Sequence, residues 1–325
     1  MVGDLFSSQS SNPIRSIALS RDLLQIADLI ERCFPIHEDP DGQTYIREMR
    51  NAARDMQYLG WINRIAELGN TKPAGFVWEE GGKIIGNLSL IPFRDKGRSI
   101  HLIANVAVHP DHRRKGIGRT LTQHALGALR RYGERETWLQ VRNDNVPAID
   151  LYHSLGFKDQ VTRSTWQVRP FEFQSGYKPQ AQKLRKWHRR PRDWEKQKDW
   201  LNRAYPVRIR WNLPLNLDRL APGIPQRIIN EMDGVKLGQW SFLLDDDCQG
   251  VIALQKTKAF ANNLWIAFPE DKEEALLPGA LSSLLLLMPQ KHPLSIDYPE
   301  GRFSSQFLEL GFTHFRTLIW MSCRL

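Results

Sequence analysis

Of 325 residues, 41% are hydrophobic and 25% charged, and 45 lysines and arginines against 36 acidic residues leave a formal net charge of +9. That composition fits a globular chain long enough for two domains, and with no apolar run near ~20 residues it excludes a transmembrane helix. Cys33, Cys248 and Cys323 are too few and too scattered for a disulfide framework or a zinc cluster, so free thiols in a reducing, cytoplasmic compartment and no metal site are expected.

The Ser-rich start, residues 1–13, has neither a charged n-region nor an apolar h-region and reads as a loose tail. From Pro35 to Tyr45 a polar segment gathers His37, Glu38, Asp39 and Asp41, and taken alone it reads as a solvated loop. Gly75–Leu90 has the layout strand, Gly-Gly turn, strand, which is a β-hairpin. An apolar run from Leu102 to Val108 reads as a buried strand that stops at His109-Pro110. Leu121, Ala125, Leu126, Ala128 and Leu129 then follow with helical spacing. Between strand and helix stand Arg113, Arg114, Lys115, Gly116, Ile117, Gly118 and Arg119. The first amides of a helix lack intrahelical partners and attract anions, and the two glycines let a phosphate approach the main chain, so this loop reads as a pyrophosphate seat. It is not a Walker loop, which needs four residues between its glycines and then Lys-Ser/Thr. It is not a dinucleotide fingerprint either, since the third glycine is missing. Thr137–Arg142 is a second apolar strand and Asn143–Asn145 a turn. The helix from Pro147 through Tyr152 ends at a capping glycine, Gly156, followed by Phe157.

Arg113-x-x-Gly116-x-Gly118 after a strand ending in Val-x-Pro, and Asn145-x-x-Ala-x-x-Leu-Tyr152-x-x-x-Gly156-Phe157 after the next strand, resemble the two signature motifs of the GNAT superfamily of N-acetyltransferases. The resemblance implies an α/β (α+β) fold, a mixed central sheet flanked by helices, and acetyl-CoA as the coenzyme. It places the pyrophosphate on Arg113, Arg114, Lys115, Gly116, Ile117, Gly118, Arg119 and Thr120. It places the pantetheine arm against Asn105, Val106, Ala107 and Val108, and gives Asn145 a coenzyme contact or a role in turn chemistry alone. It assigns protonation of the departing thiolate to Tyr152. The family's general-base positions fall on Ala104 and on Gln140, neither of which can accept a proton, so a water chain or the 35–45 segment (His37, Glu38, Asp39, Tyr45) is left to serve the amine side. The implied reaction is acyl transfer to a small-molecule or peptide amine, direct because no cysteine lies in the motifs. An acyl-CoA-binding protein without turnover is the alternative that the missing base keeps open.

The second half repeats the layout of the first. Gln239–Leu254 parallels the hairpin, Leu264–Pro269 the strand with its proline, Gly279–Met288 the helix, and Leu310-Gly311-Phe312 the turn Leu155-Gly156-Phe157. A tandem duplication follows, with residues 14–170 binding coenzyme, 171–192 a basic linker and 193–325 a degenerate copy. Lys272–Pro278 replaces the glycine loop with two carboxylates, and Phe307 stands opposite Tyr152. The basic stretch from Lys183 to Arg192, with Trp187 inside it, also admits a ribosome or nucleic-acid contact. No nucleic-acid-binding signature accompanies it, so nucleic acid is not the expected partner. The sequence leaves the oligomeric state open.

Overall fold

The structure, a computed structural model, describes residues 13–54, 74–95, 98–169, 185–188, 190–287 and 292–325. Residues 1–12 of the expected tail and all of residues 171–184 lie outside them. Tertiary contacts divide the chain into two units, Met1–Gln160 with Trp320–Leu325, and Val161–Ile319. The division precedes the polar stretch expected to be a linker, and Arg185–His188 within that stretch is a β-strand. No helix among the described residues is long and apolar enough to cross a membrane.

The first unit runs β1 (Ile14–Ser16), α1 (Leu19–Cys33), a 3-10 turn (Ile36–Glu38), α2 (Pro40–Arg54), β2 (Gly75–Glu80), β3 (Lys83–Asp95), β4 (Arg98–Val108), α3 (Ile117–Arg131), β5 (Glu136–Arg142) and α4 (Val146–Ser154). Its sheet has the order β1-β2-β3-β4-β5, all antiparallel except the β4–β5 pair, and is completed beside β5 by the end of β12 (Thr313–Arg324). Successive side chains of a strand face opposite ways, and β4 uses both faces. Ala107 packs with Leu23, Ile26 and Ile30 of α1 and Ile46 and Met49 of α2. Val108 faces Gly118 of α3, whose Ile117, Leu121, Ala125 and Leu129 are buried at helical spacing.

The second unit uses β6 (Lys158–Val168), β7 (Arg185–His188), α5 (Trp194–Ala204), α6 (Val207–Arg210), α7 (Ile224–Met232), β8 (Leu237–Leu244), β9 (Asp247–Gln255), β10 (Asn262–Ala267), α8 (Glu273–Leu287), β11 (Leu294–Pro299), α9 (Ser304–Glu309) and the first part of β12. Its sheet order is β12-β6-β11-β10-β9-β8-β7, and the β10–β11 pair is parallel. Three features match the first unit residue for residue. The β8–β9 register pairs Phe242 with Gly250 and shifts between Phe242 and Leu243, as β2–β3 pairs Trp78 with Gly86 and shifts between Trp78 and Glu79. The turn after α4 closes with Phe157 N–H donating to Tyr152 O and Gly156 N–H to His153 O. The turn after α9 repeats this with Phe312 to Phe307 and Gly311 to Leu308. The ring pairs Tyr152–Phe157 and Phe307–Phe312 lie 5.8 Å and 5.7 Å apart. Lys272–Pro278 departs from the expected loop, because α8 already begins at Glu273. Glu273 and Glu274 in its first turn complement the helix dipole, and Pro278 is accommodated inside the helix.

Gly86 sets how closely α3 approaches the sheet. A Cβ there would lie 2.8 Å from Ile117 Cγ2, 3.0 Å from Leu121 Cδ1 and 3.1 Å from Trp78 Cβ. Gly86→Ala should overpack this contact at a cost of about 1–3 kcal/mol, read as a lower denaturant midpoint. An unchanged midpoint would show that α3 can shift without penalty.

Candidate active site

Two local events in β4 make the site. The parallel ladder with β5 runs from His101–Thr137 to Ile103–Leu139 and ends, although β4 continues to Val108 and β5 to Arg142. In the same place the β3–β4 register slips between Asn87–Ala107 and Ser89–Ala104, giving β4 an extra residue. Asn105 at that bulge has φ +50°, in the left-handed region that asparagine tolerates better than most residues. Below it Asn87, fully buried, donates from Nδ2 to the Asn105 carbonyl at 2.8 Å, and Asn105 Nδ2 donates to Tyr45 Oη at 3.0 Å. The two strands therefore part and leave the Asn105–Val108 backbone beside Gln140–Arg142 without a ladder between them.

The glycine loop opens where β4 ends. His109-Pro110 leads into a 3-10 turn, Arg113 is extended, and Arg114 (φ +62°) and Gly116 (φ +78°) both take left-handed backbone before α3 starts at Ile117. The loop's backbone bonds run from His112 N–H to His109 O and Arg113 N–H to Pro110 O, then resume with Thr120 N–H to Gly116 O. The intervening amides have no backbone acceptor and form the cradle for an anion. A Cβ on Gly116 would meet nothing within 4 Å, and one on Gly118 would make only ordinary contacts with Leu151 at 3.7 Å and Val108 at 3.8 Å. The loop is thus open above its unpaired amides, with room for an anionic group. Arg114 and Lys115 are exposed. Arg113 Nε folds back to donate to Val108 O at 3.2 Å, and Arg119 Nη2 donates to Ser154 Oγ at 2.9 Å, tying α3 to α4. Thr120 Oγ1 donates to Gly116 O at 3.1 Å and so serves the helix start. From the other side, Cys33 Sγ donates to Val108 O at 3.3 Å, and Arg32 Nη1 lies 2.7 Å from His109 Nε2.

Tyr152 on α4 is buried against Phe157, and desolvation pushes its phenol up to about 12. Asn145 caps α4, its Oδ1 accepting from Ala148 N–H at 3.3 Å, which leaves its Nδ2 as a donor. Gln140 is half-buried in β5 beyond the end of the ladder.

The 35–45 segment divides. It is a loop only in part, since α2 starts at Pro40 and carries Asp41 and Tyr45. Asp39 accepts the Asp41 and Gly42 amides at 3.0 and 3.1 Å and so caps that helix. His37 and Glu38 are exposed and 3.4 Å apart. Tyr45 is hydrogen-bonded to β4 through Asn105. Sequence reasoning missed Asn87, Gly86, Arg32 and Cys33. The polar Asn87 inside the apolar run Ile84–Leu90 was the one signal that could have flagged the bulge.

The second unit fills its own counterpart of this site. β10–β11 pairing likewise ends early, at Leu264–Ile296. Tyr205, fully buried, accepts the Ile266 amide on its Oη at 3.1 Å. Arg163 lies over the Tyr205 ring and pairs with Asp297. At the start of α8 Glu273 pairs with Arg302, and burial raises its carboxyl to about 7. Phe307 is buried in an apolar cluster. In the basic stretch, Trp187 is exposed beside an open hollow of about 470 Å³, but Arg190 and Arg192 both pair with Asp246, at 2.9 and 2.6 Å.

Residues 23–157 match the Acetyltransferase (GNAT) family. An N-alpha-acetyltransferase of Sulfurisphaera tokodaii is 32% identical over 148 residues, 38% of this chain and 85% of the relative. The [Ribosomal protein bS18]-alanine N-acetyltransferase of Escherichia coli K12 is 44% identical over 62 residues, 19% of this chain and 42% of the relative's length. A solved GCN5-related N-acetyltransferase from Sphaerobacter thermophilus shares the fold at TM-score 0.53 and 13% identity, covering 96% of this chain and 95% of that one. With 85% of the Sulfurisphaera protein matched, the chain belongs to the GNAT acetyltransferase family, as its two motifs suggested.

Losing the cap oxygen in Asn145→Ala should cost about 1 kcal/mol of stability. If Asn145 also contacts coenzyme, the variant's acetyl-CoA affinity falls as well, and titration of the folded variant separates the two roles.

Proposed function

We propose that the first unit transfers the acetyl group of acetyl-CoA directly to an amine, of a small molecule or a peptide. The observation that carries this reading is the parting of β4 from β5 beside an open glycine cradle at the start of α3, with the Tyr152 phenol on the adjacent helix. The cradle of Gly116, Gly118 and the amides around them would hold the pyrophosphate, with Arg114 and Lys115 adding positive field. The Asn105–Val108 backbone would take the pantetheine arm, and an amide near Val106 would steady the developing oxyanion. Bound acetyl-CoA supplies a thioester whose sulfur departs as a thiolate. Tyr152, kept neutral before reaction by its raised pKa, would hand its proton to that sulfur as the C–S bond breaks and recover one from the amine nitrogen as the amide forms. Cys33 Sγ is engaged with Val108 O, which supports direct transfer over an acyl-enzyme. A rival reading, coenzyme binding without turnover, draws on Ala104 and Gln140 standing where a base would be; the reactive Tyr152 favours transfer.

Isothermal titration with acetyl-CoA should show one site per chain, since the second unit fills its own cleft. Gly118→Glu has room to fold but sets a carboxylate in the cradle, and it should abolish the heat. Binding retained by that variant would sink the pyrophosphate assignment.

Tyr152→Phe keeps the ring against Phe157 and removes the donor. Loss of one general acid costs roughly 10²–10⁴-fold in rate, while acetyl-CoA affinity should hold. Near-normal turnover would leave Tyr152 a packing residue.

With no base at Ala104 or Gln140, the amine must enter neutral. Its kcat/KM should rise with pH up to the amine's own pKa, and Tyr152 should cause no decline below about pH 11, because only deprotonation near 12 removes its hydrogen. Two amines of different basicity should give two different midpoints. A single midpoint common to both would reveal an enzyme base.

A further inference from the structure

We infer that Asn87 is the positioning residue of the active site: its side chain creates the β4 bulge that turns the Asn105–Val106 backbone into the gap between β4 and β5. The inference rests on the acetyltransferase reading above and deepens it. Asn87 is fully buried in the strand segment Ile84–Leu90, where Ser89 is the one other polar side chain and an asparagine is costly unless its polar atoms are used. Its Nδ2 is used twice, on Asn105 O at 2.8 Å and Ser89 Oγ at 3.3 Å, while its Oδ1 is buried with no hydrogen-bond partner. A chain that tolerates an orphaned acceptor here is retaining the donor for a purpose. The Asn105 carbonyl can only accept, so the bond fixes which way that peptide turns. Asn105 Nδ2 on Tyr45 Oη holds the same residue from the α2 side.

The second unit supplies the comparison. Its hairpin matches the first in register, shift included, so Val251 occupies the place of Asn87: Asn87 pairs with Val77 and Ala107, Val251 with Ser241 and Ala267. Where the valine stands, the next strand has no bulge. The β9–β10 register runs unbroken from Gln255–Asn263 to Val251–Ala267, and no β10 residue has positive φ. One residue, Ile266, spans the step that Asn105 and Val106 share in β4, and its amide is consumed by Tyr205 Oη. Asparagine accompanies a bulged strand beside an open gap, and valine accompanies a regular strand beside a filled one.

The test is Asn87→Val in the full chain. We expect Asn105 to leave the left-handed region in a crystal structure of the variant. We expect kcat with acetyl-CoA and an accepted amine to fall by roughly tenfold or more, as for a misplaced oxyanion donor. Affinity for coenzyme A should fall less than kcat, because the 113–119 seat for the pyrophosphate lies outside the bulge and only the pantetheine contacts at Asn105–Val108 are disturbed. A merely structural asparagine would instead lower thermal stability and leave kcat of the folded fraction intact. Should Asn87→Val not fold, Asn87→Asp carries the same test, with nearly the same shape but an acceptor facing the Asn105 carbonyl. A variant that keeps Asn105 at positive φ and turns over normally overturns the inference. If the wild-type chain binds coenzyme A but acetylates no amine, the transfer reading fails, and the conformation of Asn105 in the variant still decides the role of Asn87.

Discussion

Everything in the first unit depends on where the β4–β5 ladder stops. Parallel strands that stayed paired to Val108 would bury the Asn105–Val108 backbone groups and would leave the glycine loop facing a closed sheet. A parallel ladder is somewhat weaker per residue than an antiparallel one, and β4 is held on its other side by the strong β3 pairing. The strand can therefore part from β5 without leaving the sheet. The bulge then decides which groups face the gap, and α3, drawn close over Gly86, brings its positive end to the same point.

The second unit repeats much of this frame and fills it differently. It keeps the early end of the parallel ladder, the glycine in the hairpin and the turn that closes on a phenylalanine. The gap is then filled from inside by a tyrosine hydroxyl on the free amide and an arginine–carboxylate pair beside it. A carboxylate of its own begins the helix at the place where the first unit leaves room for a phosphate. An unfilled gap would leave buried amides unsatisfied, and the Tyr205 hydroxyl answers the Ile266 amide there.

Much of this was legible in the sequence because the relevant signals are local. Glycine spacing before a helix, the Asn145 cap, the Leu-Gly-Phe turn and the alternation of the hairpin each depend on a few neighbouring residues. What could not be read depends on partners far along the chain. Asn87 matters through Asn105, and Cys33 through Val108. Asp39 looked like part of a polar cluster, but with Pro40 at the first helical position it caps α2, a start signal that the surrounding acids and His37 obscured. Lys272–Pro278 looked like a loop because proline usually breaks a helix, yet here α8 carries it within its first two turns.

The first unit takes residues 320–325 into its sheet beside β5, while β6, which follows α4 directly, pairs with β11 in the second unit. On the ribosome, the strand that finishes the unit carrying Tyr152 therefore emerges only after nearly all of the second unit has been made. Until then β5 presents an open edge, the kind of surface that pairs wrongly or recruits a neighbour. The first unit therefore cannot be cut out as residues 1–160 without losing a strand. A fragment so made would report on the missing edge and not on the chemistry of the site.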